Sequence, residues 1–249
     1  MVTGSDMVFK LNNALYGLKQ AGRCWWLHLK AILKDIGLCT NDKDQSTYVY
    51  HWNGHVAILW IHVDDGVMKT SDEVLWVKLK EELTKRLKMK WDEKISSIVG
   101  IETIWRGDAF VLKQASLIDK LLSTGQNKFT LYEPLPQENL QSSKAAQMDK
   151  EYSSKIGVIL YLAQATRPDI MYAVNHLVRF AMNTDKSHWR ALNPLINYIR
   201  MKKDWELVIN SNQKKEDMQV YVDTNWGGEG WRSHHSYCGF LLGSLVMWN

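Results

Sequence analysis

Two adjacent aspartates, Asp64 and Asp65, interrupt the strongly apolar stretch "ILWIHVDDGVM" at residues 58–68. Like charges placed side by side repel, so the pair calls for a chemical reason. In solvent, adjacent aspartates are ordinary turn residues whose side chains bond to the local backbone. The other reading is a metal site. A hard divalent cation such as magnesium takes oxygen ligands and keeps several waters. Neighbouring strand residues face opposite sides, so one carboxylate would face a ligand directly and the other would reach it from a bend. A two-metal phosphoryl-transfer centre needs a further carboxylate, from a neighbouring strand, to bridge both ions.

The surrounding pattern supplies a platform for such a pair. Residues 47–63 hold two β-rich runs around Asn53-Gly54, a strong hairpin signal because both residues accept positive φ. The second strand is expected to run from about His55 to Val63 and to deliver both aspartates at its end. Before it, residues 14–36 settle into helical spacing, with Trp25, Leu29, Ile32 and Leu33 on one buried face and Gly37 as the stop. After it, Ser71, Asp72 and Glu73 open an amphipathic helix carrying Leu75, Val77, Leu79, Leu83 and Leu87.

Further along, "SIVGIETIWRGDAFVLKQ" predicts a second hairpin turning at Arg106-Gly107-Asp108, and "ASLIDKLLSTG" a short helix closed by Gly125. Residues 131–152 mix prolines with polar residues and lack periodicity, which suits a linker or long surface loop. About three helices follow, up to Lys203. Strand patterns return from "DWELVIN", through "QVYVDTNWGG" and "YCGFLLGS", to "LVMWN". Hairpins flanked by helices predict an α+β fold, an antiparallel sheet with helices on one face.

Bulk properties narrow the class. Of 249 residues, 45% are hydrophobic and 23% charged, the composition of a globular chain with a substantial core. The formal charge of +4 is compatible with a polyanionic partner without demanding one. Cys24, Cys39 and Cys238 are far apart and odd in number, so neither a disulfide framework nor a zinc-cysteine site is supported, and a reducing compartment is expected. The first residues do not follow a signal-peptide pattern, and no apolar run is long enough for a membrane span. The twelve tryptophans suit core packing or base stacking, and counting does not distinguish these.

Several motifs occur in series: "KLNNALYGLKQAGRCWW" at 10–26, "WIHVDDG" at 60–66, "VGIE" at 99–102, "LYLAQATRPDIMYAVNHLVRF" at 160–180 and "YVDTNWGG" at 221–228. In this order and spacing they resemble the polymerase and RNase H region of copia-type retrotransposon reverse transcriptases, over nearly the whole chain. The resemblance implies a partial palm at 9–130, a linker at 131–152, a helical thumb or connection at 153–203, and the start of an RNase H-like α/β domain at 204–249. It implies an RNA/DNA template-primer duplex and deoxynucleotides as partners, and Mg2+ or Mn2+ as the cofactor.

Site residues follow by the same resemblance. Asp64 and Asp65 become the catalytic, metal-binding pair at the tip of the palm hairpin, with His62 where the family most often has tyrosine. Gly17, Lys19 and Gln20 become contacts to incoming nucleotide and template. Gly22 stands where the family has a proline, which would loosen the helix entry. Asp223 matches the first RNase H metal ligand, while the family's second aspartate is Asn225 here. Lys85, Arg86 and Lys88 are candidate phosphate contacts, although a solvated helix end favoured by the helix dipole explains them equally well. Arg179, Lys202 and Lys203 are further backbone contacts of low specificity. Arg167 and Asp169 are expected to pair around Pro168 rather than touch nucleic acid.

The family's first polymerase aspartate lies upstream of "LYGLKQ" and has no match here, and the remaining RNase H ligands would lie past Asn249. The chain is therefore expected to be truncated at both ends and inactive alone. Alternatives are a non-catalytic nucleic-acid-binding remnant, or a relic with no molecular role. The three final strands are expected to leave an apolar edge that favours self-association.

Overall fold

Leu29 and Leu33, one helical turn apart, are both buried, and with them begins the first of two compact units, residues 1–94 and 95–249. A computed structural model describes residues 11–12, 14–40, 43–123, 140, 148–210, 218–226 and 233–249. It is a mixed α+β chain in which every strand pairing described is antiparallel.

In the first unit, α1 (Ala21–Ile36) ends at Gly37, whose φ of 97° lets its amide turn back to the carbonyls of Leu33 and Lys34. A four-stranded sheet follows in simple sequential order: β1 (Cys39–Thr40), β2 (Thr47–Trp52), β3 (His55–His62) and β4 (Asp65–Thr70). The β2–β3 turn is Asn53-Gly54, with φ of 49° and 81°, as the sequence predicts. Ala57 and Leu59 are buried while Ile58 between them is 47% exposed, so a single face of β3 meets the core.

Helix α2 (Glu73–Arg86) covers that face together with α1. Asp72 caps it, its carboxylate accepting from the Leu75 amide at 3.1 Å. Leu75, Leu79 and Leu83 recur every fourth residue and are buried, each contributing about 1.5–3 kcal/mol. Val77, expected on the same face, is 47% exposed. It lies two positions from both Leu75 and Leu79, which in a helix places it on the opposite side.

The second unit opens with β5 (Ser97–Ile98), β6 (Ile101–Arg106) and β7 (Ala109–Lys113), followed by α3 (Ala115–Leu122). The β6–β7 turn falls at Gly107-Asp108, next to Arg106 as predicted. Helix α4 (Lys150–Ala165) leads through a 3-10 turn at Pro168–Ile170 into α5 (Met171–Val178), and α6 (Lys186–Met201) follows. Their buried faces, including Tyr152, Ile156, Ile159, Leu162, Leu177 and Leu195, form this unit's core.

Strand β8 (Leu207–Asn210) pairs with β7, Val111 opposite Val208, to complete the sheet β5-β6-β7-β8. Strands β9 (Met218–Asn225), β10 (His234–Leu241) and β11 (Ser244–Trp248) form a separate sheet with β9 at one edge. Ser244 joins the two sheets by bonding to both backbone groups of Asn210, and the Trp248 indole donates to the Ala163 carbonyl at 2.8 Å.

Gly125 and most of the predicted linker lie outside the described residues. Asp149–Tyr152, at its C-terminal end, form the cap and first turn of α4. Among the described residues no helix is long and apolar enough to cross a membrane.

Candidate active site

The β3–β4 hairpin is closed by a two-residue turn, Val63-Asp64, with His62 opposite Asp65 at the head of the ladder. The strand expected to end at about Val63 ends one residue earlier, at His62, and the two aspartates follow at its end as expected. Asp64 belongs to the turn and Asp65 is the first residue of β4, so the carboxylates straddle the bend. Both are exposed. The turn arises where it does because Ala57 and Leu59 anchor β3 in the core, and Met68 on β4 packs against the same cluster.

Val63 has a φ of 56°, the left-handed region that β-branched residues avoid. Asp64 is not among the residues with positive φ. A positive φ at the first central position alone is the sign pattern of a type II′ turn, where glycine is preferred. Holding valine there costs on the order of 1–3 kcal/mol. Part of that cost is offset across the unit. The Trp25 indole N–H, from the second turn of α1, donates to the Val63 carbonyl at 2.7 Å, a bond worth about 1 kcal/mol net.

Trp25 is thus not the buried core residue its helical spacing predicts. It is 39% exposed and placed at the margin of the apolar face, beside the hairpin tip. A tryptophan on an apolar stripe carries no signal in sequence that separates packing from hydrogen bonding. Gly66, just past the pair, sits close to the neighbouring strand: a Cβ there would meet the Trp60 carbonyl oxygen at 3.4 Å. His62 stacks on Trp60, ring centroids 6.0 Å apart and 11° from parallel, two residues along the same strand face.

Gly17 lies in the turn before α1 with a φ of 94°, and Lys19 and Gln20 follow it, all exposed. Gln20 occupies the N-cap position of α1 without a side-chain capping bond. At the end of α2, Lys85 pairs with Glu82 at 3.1 Å and Arg86 with Asp35 of α1 at 3.6 Å. The hydrogen bond from Lys85 holds the Glu82 carboxyl below the ordinary range. Lys88 is exposed just past the helix.

Within the second unit, Asp223 is exposed on β9 opposite Ser236. Arg179 bonds the His176 carbonyl and lies over the Phe180 ring. Lys203 pairs with Asp119 at 3.5 Å, and the Lys202 ammonium sits 4.9 Å from the Trp205 ring centroid. Arg167 and Asp169 form the expected pair, with two bonds of 2.8 and 2.7 Å. Asp64 and Asp65 thus fall in one compact unit and Asp223 in the other.

Among the described residues no group of three or more His, Cys, Asp or Glu side chains gathers as a metal site. Two hard oxygen donors fit one magnesium-like cation whose remaining ligands are water and phosphate. They do not by themselves fit a bridged two-metal centre.

A model of the reverse transcriptase (RNA-dependent DNA polymerase) family matches residues 2–135, which include α1 and the whole β3–β4 hairpin. The chain belongs to that family, as a reverse transcriptase domain of copia-type retrotransposon Pol polyproteins. It is 29% identical to the retrovirus-related Pol polyprotein from transposon RE1 of Arabidopsis thaliana, over 98% of this chain and 17% of that protein. It is 31% identical to the Pol polyprotein from transposon TNT 1-94 of Nicotiana tabacum, over 78% of this chain and 16% of the relative. The putative transposon Ty5-1 protein YCL074W of Saccharomyces cerevisiae is 27% identical, over 98% of this chain and 82% of the relative. The chain therefore spans about a sixth of the Pol polyproteins it matches, and about four fifths of a shorter yeast relative. No solved structure matches the chain.

Proposed function

We propose that this chain is the palm-centred part of an RNA-directed DNA polymerase in which Asp64 and Asp65 contribute to a Mg2+ or Mn2+ site. The observation that carries this reading is the Val63-Asp64 turn: it presents two adjacent carboxylates at a hairpin tip, inside the segment matching the reverse transcriptase family. Such an ion, when bound, neutralises charge on a transferring phosphoryl group. This chain's residues would hold one side of it, with His62 and the Gly17, Lys19 and Gln20 turn placed against nucleotide and template. In this reading residues 9–130, with α1–α3, are palm, residues 153–203 are thumb or connection, and residues 204–249 begin an RNase H-like domain with Asp223 as one of its ligands.

A bridged centre needs a carboxylate besides Asp64 and Asp65. We therefore expect no primer extension by the chain alone with Mg2+. Extension should return when a segment carrying the family's first aspartate motif is fused upstream. Robust extension by the chain alone would overturn the first expectation, and failure of the fusion would count against the polymerase assignment.

The second reading is a non-catalytic nucleic-acid-binding module. It is favoured by the cationic groups at Lys85, Arg86, Lys88, Arg179, Lys202 and Lys203, several of which are also paired to acids or lie over aromatic rings. Binding to an RNA/DNA hybrid should weaken steeply with salt through counterion release. An affinity flat across salt concentrations would remove this reading.

A further inference from the structure

Both valines with positive φ among the described residues share one arrangement. Val63, at 56°, has its carbonyl held by the Trp25 indole N–H at 2.7 Å. Val99, at 49° in the turn between β5 and β6, has its carbonyl held by the Tyr161 hydroxyl. In each case an aromatic donor from a distant helix of the same unit bonds a carbonyl in a β-branched hairpin turn. The two turns differ in one respect. Val99 is followed by Gly100 with a φ of 74°, whereas Val63 is followed by Asp64, which lacks positive φ.

That difference locates what the Trp25 bond decides. The carbonyl of the first central residue belongs to the peptide plane between the two turn residues. Rotating that plane exchanges type II′ for type I′, the two turns that suit a hairpin, and reverses the sign of φ at the second residue. The Val63 carbonyl therefore points one way or the other according to which turn forms, and with it changes the direction of the Asp64 side chain. An indole N–H fixed on α1 can donate to that carbonyl in only one of the two. Helix α1 is itself anchored by Leu29 and Leu33 in the unit's core, so the donor does not move with the hairpin tip.

We propose that Trp25 is a positioning residue for the carboxylate pair: its indole N–H fixes the Val63-Asp64 peptide plane and thereby the relative placement of Asp64 and Asp65. Its bearing on metal binding rests on the reading of that pair given above; the clamp itself does not. Glycine at position 63 is the residue that a type II′ turn prefers, so V63G supplies by conformational freedom what the clamp supplies by hydrogen bonding.

The test uses the full chain, isotopically labelled, with hydrogen exchange followed residue by residue. In W25F, which keeps an aromatic ring and loses the donor, the Asp65 amide opposite His62 should exchange about fivefold faster. Amides further down the sheet, such as that of Leu59, should stay unchanged, and the double variant W25F/V63G should return Asp65 to the wild-type rate. Unchanged Asp65 exchange in W25F would overturn the proposal. So would a loss spread evenly over the sheet and not reversed by V63G, because that is the signature of packing alone.

Should W25F fail to fold, the wild-type indoles decide the matter. The Trp25 N–H should exchange more slowly than those of Trp105 and Trp226, which are 59% and 94% exposed; equal rates would overturn the clamp. Titration with Mn2+ separates the two readings. Paramagnetic broadening at Asp64 and Asp65 should need several-fold more Mn2+ in W25F and recover in W25F/V63G. Absence of broadening in the wild-type chain, with the exchange results as expected, would remove the metal reading and leave the clamp standing.

Discussion

Asp169 grips the buried guanidinium of Arg167 at two points, Nε to Oδ1 at 2.8 Å and Nη2 to Oδ2 at 2.7 Å, with Arg167 only 2% exposed. A third arm donates to the Lys202 carbonyl at 3.1 Å, so this cation ties the 3-10 turn after α4 to the end of α6. A buried arginine so thoroughly satisfied is structural, and its acid is what makes its burial tolerable. D169A should destabilise the second unit by about 3 kcal/mol or more, because it leaves an uncompensated buried charge. R167M/D169A should cost less than D169A alone, since the stranded charge is gone. Denaturant midpoints of the three chains check this ordering. A double variant as unstable as D169A would show that packing, not charge, dominates the site.

Helix α2 offers a direct test of which face is buried. L79A should cost about 2–5 kcal/mol, because Leu79 is fully buried and the space left cannot be refilled completely. V77A, two residues away and exposed, should lie within about 0.5 kcal/mol of wild type. Urea unfolding of the two variants distinguishes them. Comparable losses would mean that the helix is rotated from the orientation described.

These contrasts show which features were legible in the sequence. Turns carried by local chemistry were readable: Asn53-Gly54 and Gly107-Asp108 fall where residue types tolerant of positive φ stand between β-rich runs. The leucines of α2 were readable because a four-residue repeat is a local property, and Val77 was misplaced because it broke that repeat. The Asp64-Asp65 pair was visible as chemistry but not as geometry. Nothing in "HVDDG" says which way the Val63 carbonyl points, since that choice depends on Trp25, brought in from another element. The β7–β8 pairing, Val111 opposite Val208, was equally hidden because its two strands are set side by side by the intervening helices. Family motifs placed the chain correctly, yet they too name residues without giving the backbone that carries them.

Acid should weaken the α4–α6 contact through Asp149. One oxygen of that carboxylate caps α4, accepting from the amides of Glu151 and Tyr152, and the other accepts from the Trp189 indole at 2.9 Å. The indole bond, followed by the backbone bonds, holds its pKa below the ordinary carboxylate value. A depressed folded pKa means that the unfolded chain takes up the proton first. The stabilisation is therefore complete above the unfolded value of about 3.9 and is lost as pH falls through the lower folded value. D149A should cost about 0.5–2 kcal/mol at neutral pH, the usual worth of an N-cap. D149N should cost less there, since its amide oxygen still caps, and should flatten the acid limb. Thermal melts of the three chains from pH 7 to 3 provide the measurement. A D149N chain with the wild-type acid limb would assign that limb to other carboxylates.

Strand β9, at one end of the β11-β10-β9 sheet among the described residues, gives the last test. On β9, Met218, Val220, Tyr221 and Val222 are all exposed, at 55%, 49%, 61% and 67%. An edge strand with apolar side chains and backbone groups facing outward is a template for pairing with another chain. We therefore expect the full chain to associate in a concentration-dependent way at neutral pH. Charge on the edge opposes such pairing, because each copy would bring the same ammonium to the new ladder. V220K and V222K should each shift the association to higher concentration, with little effect on folding because both positions are solvent-exposed. Sedimentation velocity over a wide concentration range reads this directly. A wild-type chain that stays monomeric throughout would remove the edge as an interaction surface, and association unchanged in both lysine variants would place the contact elsewhere on the molecule.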